Sequence, residues 1–271
     1  MWFGTTGDCM DRNLHPAPWP LVYRVRAGIE EFGATVTLLG KGFAALTRRP
    51  YRVGLWLAQA EFIGFGSLFI ILLTGTFTGA VFTLQTVNAL SKVGMESMVG
   101  SSVMLATTRE LGPVLTALMV AGRVGSAMAT ELGTMRVSEQ IDAMEVMAVD
   151  PINYLVAPRL LASATMVPCL CMLFDVVANM GAYVVAVGFL GIDEGAYTAR
   201  ISWYLQPSDV VHGVLKAAVF GITIAAIACR RGLSAKGGAT GVGRATTDTV
   251  VTASISVFVL DYIATSLLLG N

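Results

Sequence analysis

One stretch of this sequence restricts the possible folds more than any other, because residues 62–88 contain no charged side chain. It begins at Phe62 and includes the apolar run from Ile70 to Leu73. A helix crosses the roughly 30 Å hydrocarbon core of a bilayer with about 20 apolar residues, so this stretch is long enough to span it. Of all 271 residues, 55% are hydrophobic and only 13% are charged, which is unusual for a soluble domain. We therefore predict an integral membrane protein.

Four further apolar stretches are long enough to cross a membrane as helices. The five predicted spans are about 62–88, 98–126, 158–190, 209–229 and 247–269. The second span requires the pair Arg109 and Glu110 to lie inside the membrane, because neither half alone reaches about 20 residues. The predicted fold class is an all-α membrane protein with five transmembrane helices.

The segment before the first span has the pattern of an amphipathic helix. Between residues 21 and 50, apolar side chains from Val22 to Leu46 recur at steps of three and four, while charged residues occupy the other face. Two interpretations are open: a helix in the membrane interface, which we favour because a span follows directly, and a soluble bundle helix. Residues 1–20 form an N-terminal tail to which the sequence assigns no role.

The distribution of Lys and Arg predicts the orientation of the spans. Seven of these residues lie in the first 52 residues and four more lie between spans four and five. The two opposite loops contain only Lys92 and Arg200. The positive-inside rule therefore places the N-terminus in the cytoplasm, and five spans place the C-terminus outside.

A short amphipathic helix is predicted at about 135–148, on the cytoplasmic side between spans two and three. The residues Val137, Ile141, Met144 and Ala148 share one face, and the acidic residues Glu139, Asp142 and Glu145 project elsewhere. At this length the helix cannot span the bilayer. It either contacts a partner at the cytoplasmic mouth or presents a solvated charged face, and the pattern alone does not separate the two.

Charged residues inside the predicted spans are the strongest indication of a functional site. The candidates among them are Arg109, Glu110, Asp175, Lys216 and Asp261. Each charge at the bilayer centre costs about 2.5–3.5 kcal/mol on the insertion scale, so these side chains should face the bundle interior or a wet cavity. One hypothesis is a cavity that opens to the outside; the other is a set of ion pairs without a substrate. Adjacent helical residues point about 100° apart, so Arg109 and Glu110 cannot face one partner.

The sequence contains no set of residues typical of an enzyme. The glycines between Gly33 and Gly42 lack P-loop spacing, and the glycines at 238–243 follow no strand, so neither segment predicts a nucleotide site. His15 and His212 have no metal-ligand neighbours at suitable spacing, and the four cysteines show no paired spacing. We predict no catalytic residue, no metal and no cofactor.

Several motifs in this sequence closely resemble those of the MlaE-type permease family, the membrane subunits of lipid ABC transporters that work with MCE proteins. The motifs are RELGPV at 109–114, AGRVGSA at 121–127, MEVMAVDP at 144–151, RATT at 244–247 and LDY at 260–262. The resemblance extends over about residues 20–271.

The resemblance implies a permease subunit of an ATP-driven lipid transporter in the cell inner membrane. It implies a homodimer with a lipid cavity, two copies of a separate cytoplasmic ABC ATPase and a hexameric MCE protein on the outer face. It assigns Arg109, Glu110, Lys216 and Asp261 to the cavity. The coupling to the ATPase is assigned to Arg136, Glu139, Asp142 and Glu145. Asp175 matches no charge of the family pattern and is a candidate partner for Lys216. The alternative is a secondary transporter or channel that uses the intramembrane charges.

Overall fold

The computed structural model describes residues 20–46 and 53–269, and within these ranges the chain forms helices and no strand. The helices are α1 (Pro20–Leu46), α2 (Val53–Ser91), α3 (Glu96–Val137), α4 (Gln140–Val146), α5 (Ile152–Phe189), α6 (Glu194–Tyr204), α7 (Pro207–Leu233) and α8 (Gly238–Leu269). Five of them, α2, α3, α5, α7 and α8, are long and apolar enough to cross a membrane, which confirms the predicted all-α fold class.

Some predicted features fall outside the described residues. They are the tail at 1–19, the basic residues Arg48, Arg49 and Arg52, and the C-terminal Asn271. We use "inner side" below for the end of the bundle that carries α4 and the α7–α8 connection. The opposite end, which carries α6, is the outer side.

The spanning helices are longer than hydropathy alone predicts. For example, α2 begins at Val53 rather than near Phe62, and α3 continues to Val137 rather than ending near Ser126. Hydropathy locates only the part of a helix that fits the hydrocarbon core, whereas backbone hydrogen bonding continues into the polar layers until a residue interrupts it. At the start of α7 the backbone N–H of Gln206 donates to Asp209 Oδ2 at 2.9 Å, and Pro207 occupies the first turn.

Two turns of α3 are π-helical, at Thr107–Leu111 and at Ala121–Gly125. The first contains Arg109 and Glu110, and the second contains Arg123. A π-turn is uncommon and often occurs at functional sites, because the extra residue changes the direction in which the neighbouring side chains point.

Close approach of α2 and α5 depends on glycine. A Cβ atom at Gly79 would lie 1.8 Å from the carbonyl oxygen of Ala178, and one at Gly181 would lie 2.5 Å from that of Thr76. Gly75 packs against Phe174 and Val177 in the same way. The Gly75–Gly79 spacing, which by sequence could also indicate contact between two chains, is therefore used for packing inside one chain.

The helix α1 packs on the inner part of the bundle. Leu38 and Ala45 are buried, and Gly42 lies against Leu160 of α5, whereas Val36 and Phe43 are exposed. Among the described side chains, the predicted apolar stripe therefore does not form a single buried face. Leu39 packs on the core, whereas Val36 and Phe43 face away from it. The side chains of Val22, Val25, Ile29, Phe32 and Leu46 lie outside the described residues. The interfacial position of α1 remains a prediction.

The predicted helix at 135–148 is interrupted. Residues 135–137 belong to the end of α3, and α4 is shorter than predicted, because Glu139 adopts a left-handed φ of 59° and Ala148 one of 58°. A continuous helix would require right-handed dihedrals at both positions. Ile141 is buried and Met144 packs on the core, whereas Val137 and Ala148 are exposed, so only part of the predicted apolar face contacts the bundle.

The sequence reasoning missed α6, which lies in the outer connection between α5 and α7. Its Tyr197 is buried, stacks edge-on against Tyr183 and packs over Gly100 of α3. Burial raises the pKa of the Tyr197 hydroxyl above its ordinary value. The helix is too short to produce a span signal, and a single large buried residue does not produce a periodic pattern.

Candidate functional site

Five charged side chains from α3, α7 and α8 come together in the outer half of the bundle. They are Arg109, Glu110, Asp209, Lys216 and Asp261, which we call the outer cluster. Three ion pairs connect them: Arg109 with Asp209, and Lys216 with both Glu110 and Asp261. A cavity of about 240 Å³ opens beside them, and it is also lined by His212 and Thr265. Four of the five cavity candidates proposed from the sequence lie in this cluster.

Lys216 is the centre of the cluster. Its Nζ lies 2.8 Å from Glu110 Oε2 and 3.2 Å from Asp261 Oδ1, and 2.7 Å from the hydroxyl of Thr265. Only 4% of its side chain is exposed. A buried ammonium is stable only when carboxylates and other acceptors replace water, so Lys216 ties α3 to α7 and α8.

Arg109 binds a residue that sequence reasoning did not select. Its guanidinium lies 2.6 Å from Asp209 Oδ1, and its Nε donates to the same oxygen at 2.9 Å. The Asp209 side chain is 3% exposed and also caps the first turn of α7. In the sequence, the only sign of this role was that Asp209 is an acidic residue three positions after Gln206 and just inside a span. On its own, that pattern indicates only a helix cap.

The two charges of the Arg109–Glu110 pair face different partners, as the 100° rotation between neighbours requires. Arg109 points towards Asp209 near the outer end of α7, and Glu110 points towards Lys216. Both are partly open to the cavity, with 44% and 40% of their side chains exposed.

Asp175 lies apart from the outer cluster. Lys216 pairs with Glu110 and Asp261 and not with Asp175, so the suggested Asp175–Lys216 pair is wrong. The carboxylate packs against Gly112, where a Cβ atom would lie 2.0 Å from its Oδ1, and that oxygen has no hydrogen-bond partner among the described residues. Asp175 therefore faces the α3 backbone without a cation.

The chemistry available in the outer cluster is electrostatic. Two cations face three carboxylates, so the cluster carries no excess positive charge of its own. The partly exposed guanidinium of Arg109 can still donate to an anionic group in the cavity, because Asp209 occupies only one of its edges. Within residues 20–46 and 53–269 no group of three His, Cys, Asp or Glu residues could hold a metal ion.

The four coupling candidates lie on the inner side, at the end of α3 and in α4. Arg136 forms an ion pair with Asp142. Glu139 and Glu145 are exposed, and neither is ion-paired with another described residue. Beside them Val146 and Met147 are 88% and 66% exposed. Exposed apolar side chains of this kind are typical of a surface that a protein partner covers.

The inner side contains a second ion pair that the sequence analysis did not predict. Arg159 of α5, whose side chain is 3% exposed, lies 2.8 Å from Glu131 of α3. Arg159 also donates to the carbonyl oxygen of Leu155 at 3.0 Å. This pair joins α3 to α5.

Comparison with known proteins gives consistent results. The family model described as "Permease MlaE" matches residues 56–267. A "Probable ABC transporter permease protein" of Rickettsia felis is 45% identical over 224 residues, which cover 83% of this chain and 86% of that protein. The "Intermembrane phospholipid transport system permease protein MlaE" of Haemophilus influenzae is 38% identical over 249 residues, 90% of this chain and 91% of that protein.

A plant protein matches over a smaller share of its length. "Protein TRIGALACTOSYLDIACYLGLYCEROL 1, chloroplastic" of Arabidopsis thaliana is 40% identical over 210 residues, 78% of this chain and 60% of that protein. The matched region of the family model includes all five spanning helices in whole or in large part.

Proposed function

The chain belongs to the MlaE permease family, and on that premise we propose that it is the permease subunit of an ATP-driven phospholipid transporter. The observation that carries the proposal is the outer cluster beside its cavity. Five charges gathered between membrane-spanning helices are costly to maintain, and such groups usually mark a substrate pathway. We assign the phosphate of the lipid headgroup to the exposed edge of Arg109, because a planar guanidinium can bind a phosphate through two hydrogen bonds.

The proposed transporter contains further subunits. ATP hydrolysis is assigned to a separate cytoplasmic ABC ATPase, present in two copies, and the outer face is assigned to an MCE-domain hexamer. The permease itself is proposed to be a homodimer. In support, only 11% of the most apolar segment of α8 is buried within the chain, compared with 50% for α7. An apolar helix with so little internal contact has a face available to a second copy or to lipid.

The protein is placed in the cell inner membrane, with the inner side of the bundle in the cytoplasm. The distribution of Lys and Arg supports this orientation. Coupling to the ATPase is assigned to Arg136, Glu139, Asp142 and Glu145. Movement of this surface can change the cavity only if the ATPase binds its two states with different affinity.

The proposed function is tested with the permease and its ATPase reconstituted in proteoliposomes that contain a fluorescent phospholipid. Arg109→Gln should lower ATP-dependent lipid movement about tenfold, because a charge-assisted hydrogen bond to the phosphate is lost. Arg200→Gln, in the outer connection and away from the cluster, is the matched control and should transport normally. Unchanged transport by Arg109→Gln would remove the headgroup assignment.

The same preparation separates this function from a secondary transporter or channel. If the intramembrane charges relay ions, lipid movement should follow an ion gradient and should not require ATP. Lipid movement that requires ATP and the ATPase subunit excludes that alternative.

The coupling surface is tested by reversing the two unpaired carboxylates of α4 and its flank. Glu139→Lys combined with Glu145→Lys should weaken copurification of the ATPase about tenfold while leaving membrane insertion intact, because both side chains are exposed and neither stabilises the bundle. Glu96→Lys on the outer side is the control. Normal ATPase recovery from the double variant would place the docking surface elsewhere.

A further inference from the structure

A groove of about 710 Å³ runs along the inner half of the bundle, separate from the cavity of the outer cluster. It lies between α1, α7 and α8, and its wall is mostly apolar. The apolar lining includes Val36, Leu39, Ile227, Ile255, Val259 and Ile263. Its volume lies within the range of about 300–1,000 Å³ that is usual for small-molecule sites.

Two arginines lie at the inner end of this groove. Arg231 is held by Glu31 of α1 through two hydrogen bonds of 2.8 Å and lies 4.0 Å from Asp248. Its neighbour Arg230 also lines the groove, but it forms no ion pair with any described carboxylate, and its buried Nε has no hydrogen-bond partner among the described residues. One positive charge at the inner end is therefore available to an external anion.

The length of the groove matches one leaflet of a bilayer. Its lining on α8 extends from Thr252, which contacts Arg231, to Ile263. At 1.5 Å per residue these positions are about 16 Å apart, and half of a 30 Å hydrocarbon core is about 15 Å. The apolar wall therefore ends near the level of Asp261, where the outer cluster begins.

We propose that this groove holds a phospholipid of the inner leaflet, with its phosphate at Arg230 and one acyl chain along α8 between Thr252 and Ile263. The position would be a second lipid station, connected along α8 with the outer cluster. The inference rests on the proposed function, because the inner side must be the cytoplasmic side. A phospholipid fits better than a soluble anion because an unpaired cation lies at one end of an apolar channel as long as an acyl chain.

The experiment uses the permease alone in nanodiscs of phosphatidylethanolamine and phosphatidylglycerol, with a trace of phosphatidylethanolamine that carries a photoreactive diazirine in one acyl chain. Crosslinks are mapped by peptide mass spectrometry to residues 252–263. Arg230→Gln should reduce them about tenfold, since one charge-assisted hydrogen bond is lost. Ile255→Trp, which fills the groove, should reduce them at least as much.

Two matched controls test specificity. Arg244→Gln removes an exposed arginine outside the groove, and Leu267→Trp enlarges an exposed residue of α8 beyond its outer end. Both should leave the crosslinks at 252–263 unchanged. Equal crosslinking in the parent and in Ile255→Trp would overturn the proposal, because it would show only surrounding lipid.

A second copy of the chain is the other occupant that the experiment can detect. Ile255→Cys should form no disulfide between two copies under oxidation if lipid fills the groove, whereas such a disulfide with loss of the lipid crosslink overturns the proposal. Because the ATPase is absent, the result is independent of transport. In the parent chain, absence of the groove crosslinks together with ATP-dependent transport rejects only this inference, and groove crosslinks without ATP-dependent transport reject only the proposed function.

Discussion

The outer cluster and the inner groove neutralise their charges in different ways. In the outer cluster both cations contact carboxylates of the same chain, and Lys216 is almost completely buried by them. In the inner groove Arg231 is paired with Glu31, but Arg230 has no described carboxylate. Paired charges hold helices in position, whereas an unpaired cation can bind an anion from outside. A single charge without a partner can therefore indicate ligand binding as well as a dense group of charges does.

Replacing Lys216, the central cation of the outer cluster, should show most clearly whether a charge stabilises the bundle or is free to bind a ligand. Lys216→Met leaves Glu110 and Asp261 without their cation, and breaking a buried pair in this way costs about 3 kcal/mol. We expect the midpoint of thermal unfolding in detergent to fall by about 8 °C. Arg230→Gln is the matched comparison and should change the midpoint by less than about 2 °C, because it leaves no described carboxylate unpaired.

Neutralising the carboxylates tests the reason for this loss. Lys216→Met combined with Glu110→Gln and Asp261→Asn should recover most of the stability, since no unpaired charge then remains. If the triple variant is as unstable as the single one, then the packing of the lysine stem stabilises the bundle rather than its charge. Equal losses in Lys216→Met and Arg230→Gln would contradict the comparison itself.

A smaller effect is expected at the outer end of the cluster, where Asp209 has two roles. Asp209→Ala removes both the cap of α7 and the partner of Arg109, and should cost about 2 kcal/mol. Asp209→Asn keeps an oxygen for the cap and should cost about half as much. The measurement is unfolding of both variants side by side. Identical losses would show that the cap adds nothing beyond the ion pair with the half-exposed Arg109, and no loss in Asp209→Asn would show that the ion pair itself adds nothing.

The smallest effect is expected at Asp175, the charge that lies outside both regions. Asp175→Asn removes a carboxylate that has no cation partner among the described residues, so its cost should be below about 0.5 kcal/mol. Asp261→Asn, by contrast, removes one of the two carboxylates that face Lys216 and should cost more. Thermal unfolding of the two variants ranks them, and a larger loss for Asp175→Asn would indicate a partner for that residue in the assembled transporter.

The chain's hydrophobic pattern is sufficient to predict the number and approximate position of the membrane spans. Inside the bilayer, the backbone N–H and C=O groups of the apolar run from Phe62 onward cannot bond to water. They must pair within the segment itself, and this requirement selects a helix. The cost of an unpaired charge in hydrocarbon also predicts that Arg109, Glu110, Lys216 and Asp261 face inward. Both conclusions depend on composition and length, which are local properties of the chain.

Pairing between helices depends on rotation and register, which a single sequence does not specify. A shift of one residue turns a side chain by about 100°, so Lys216 meets Glu110 and Asp261 while Asp175 meets the backbone at Gly112. The π-turn at Thr107–Leu111 changes the direction of Arg109 further and brings it to Asp209. The inner groove likewise exists only because α1 packs against the bundle, where Glu31 pairs with Arg231. The sequence by itself therefore determined which residues had to be inside a membrane bundle, and the tertiary structure decided which of them found a partner, because partners are chosen by contacts between helices that are distant in the chain.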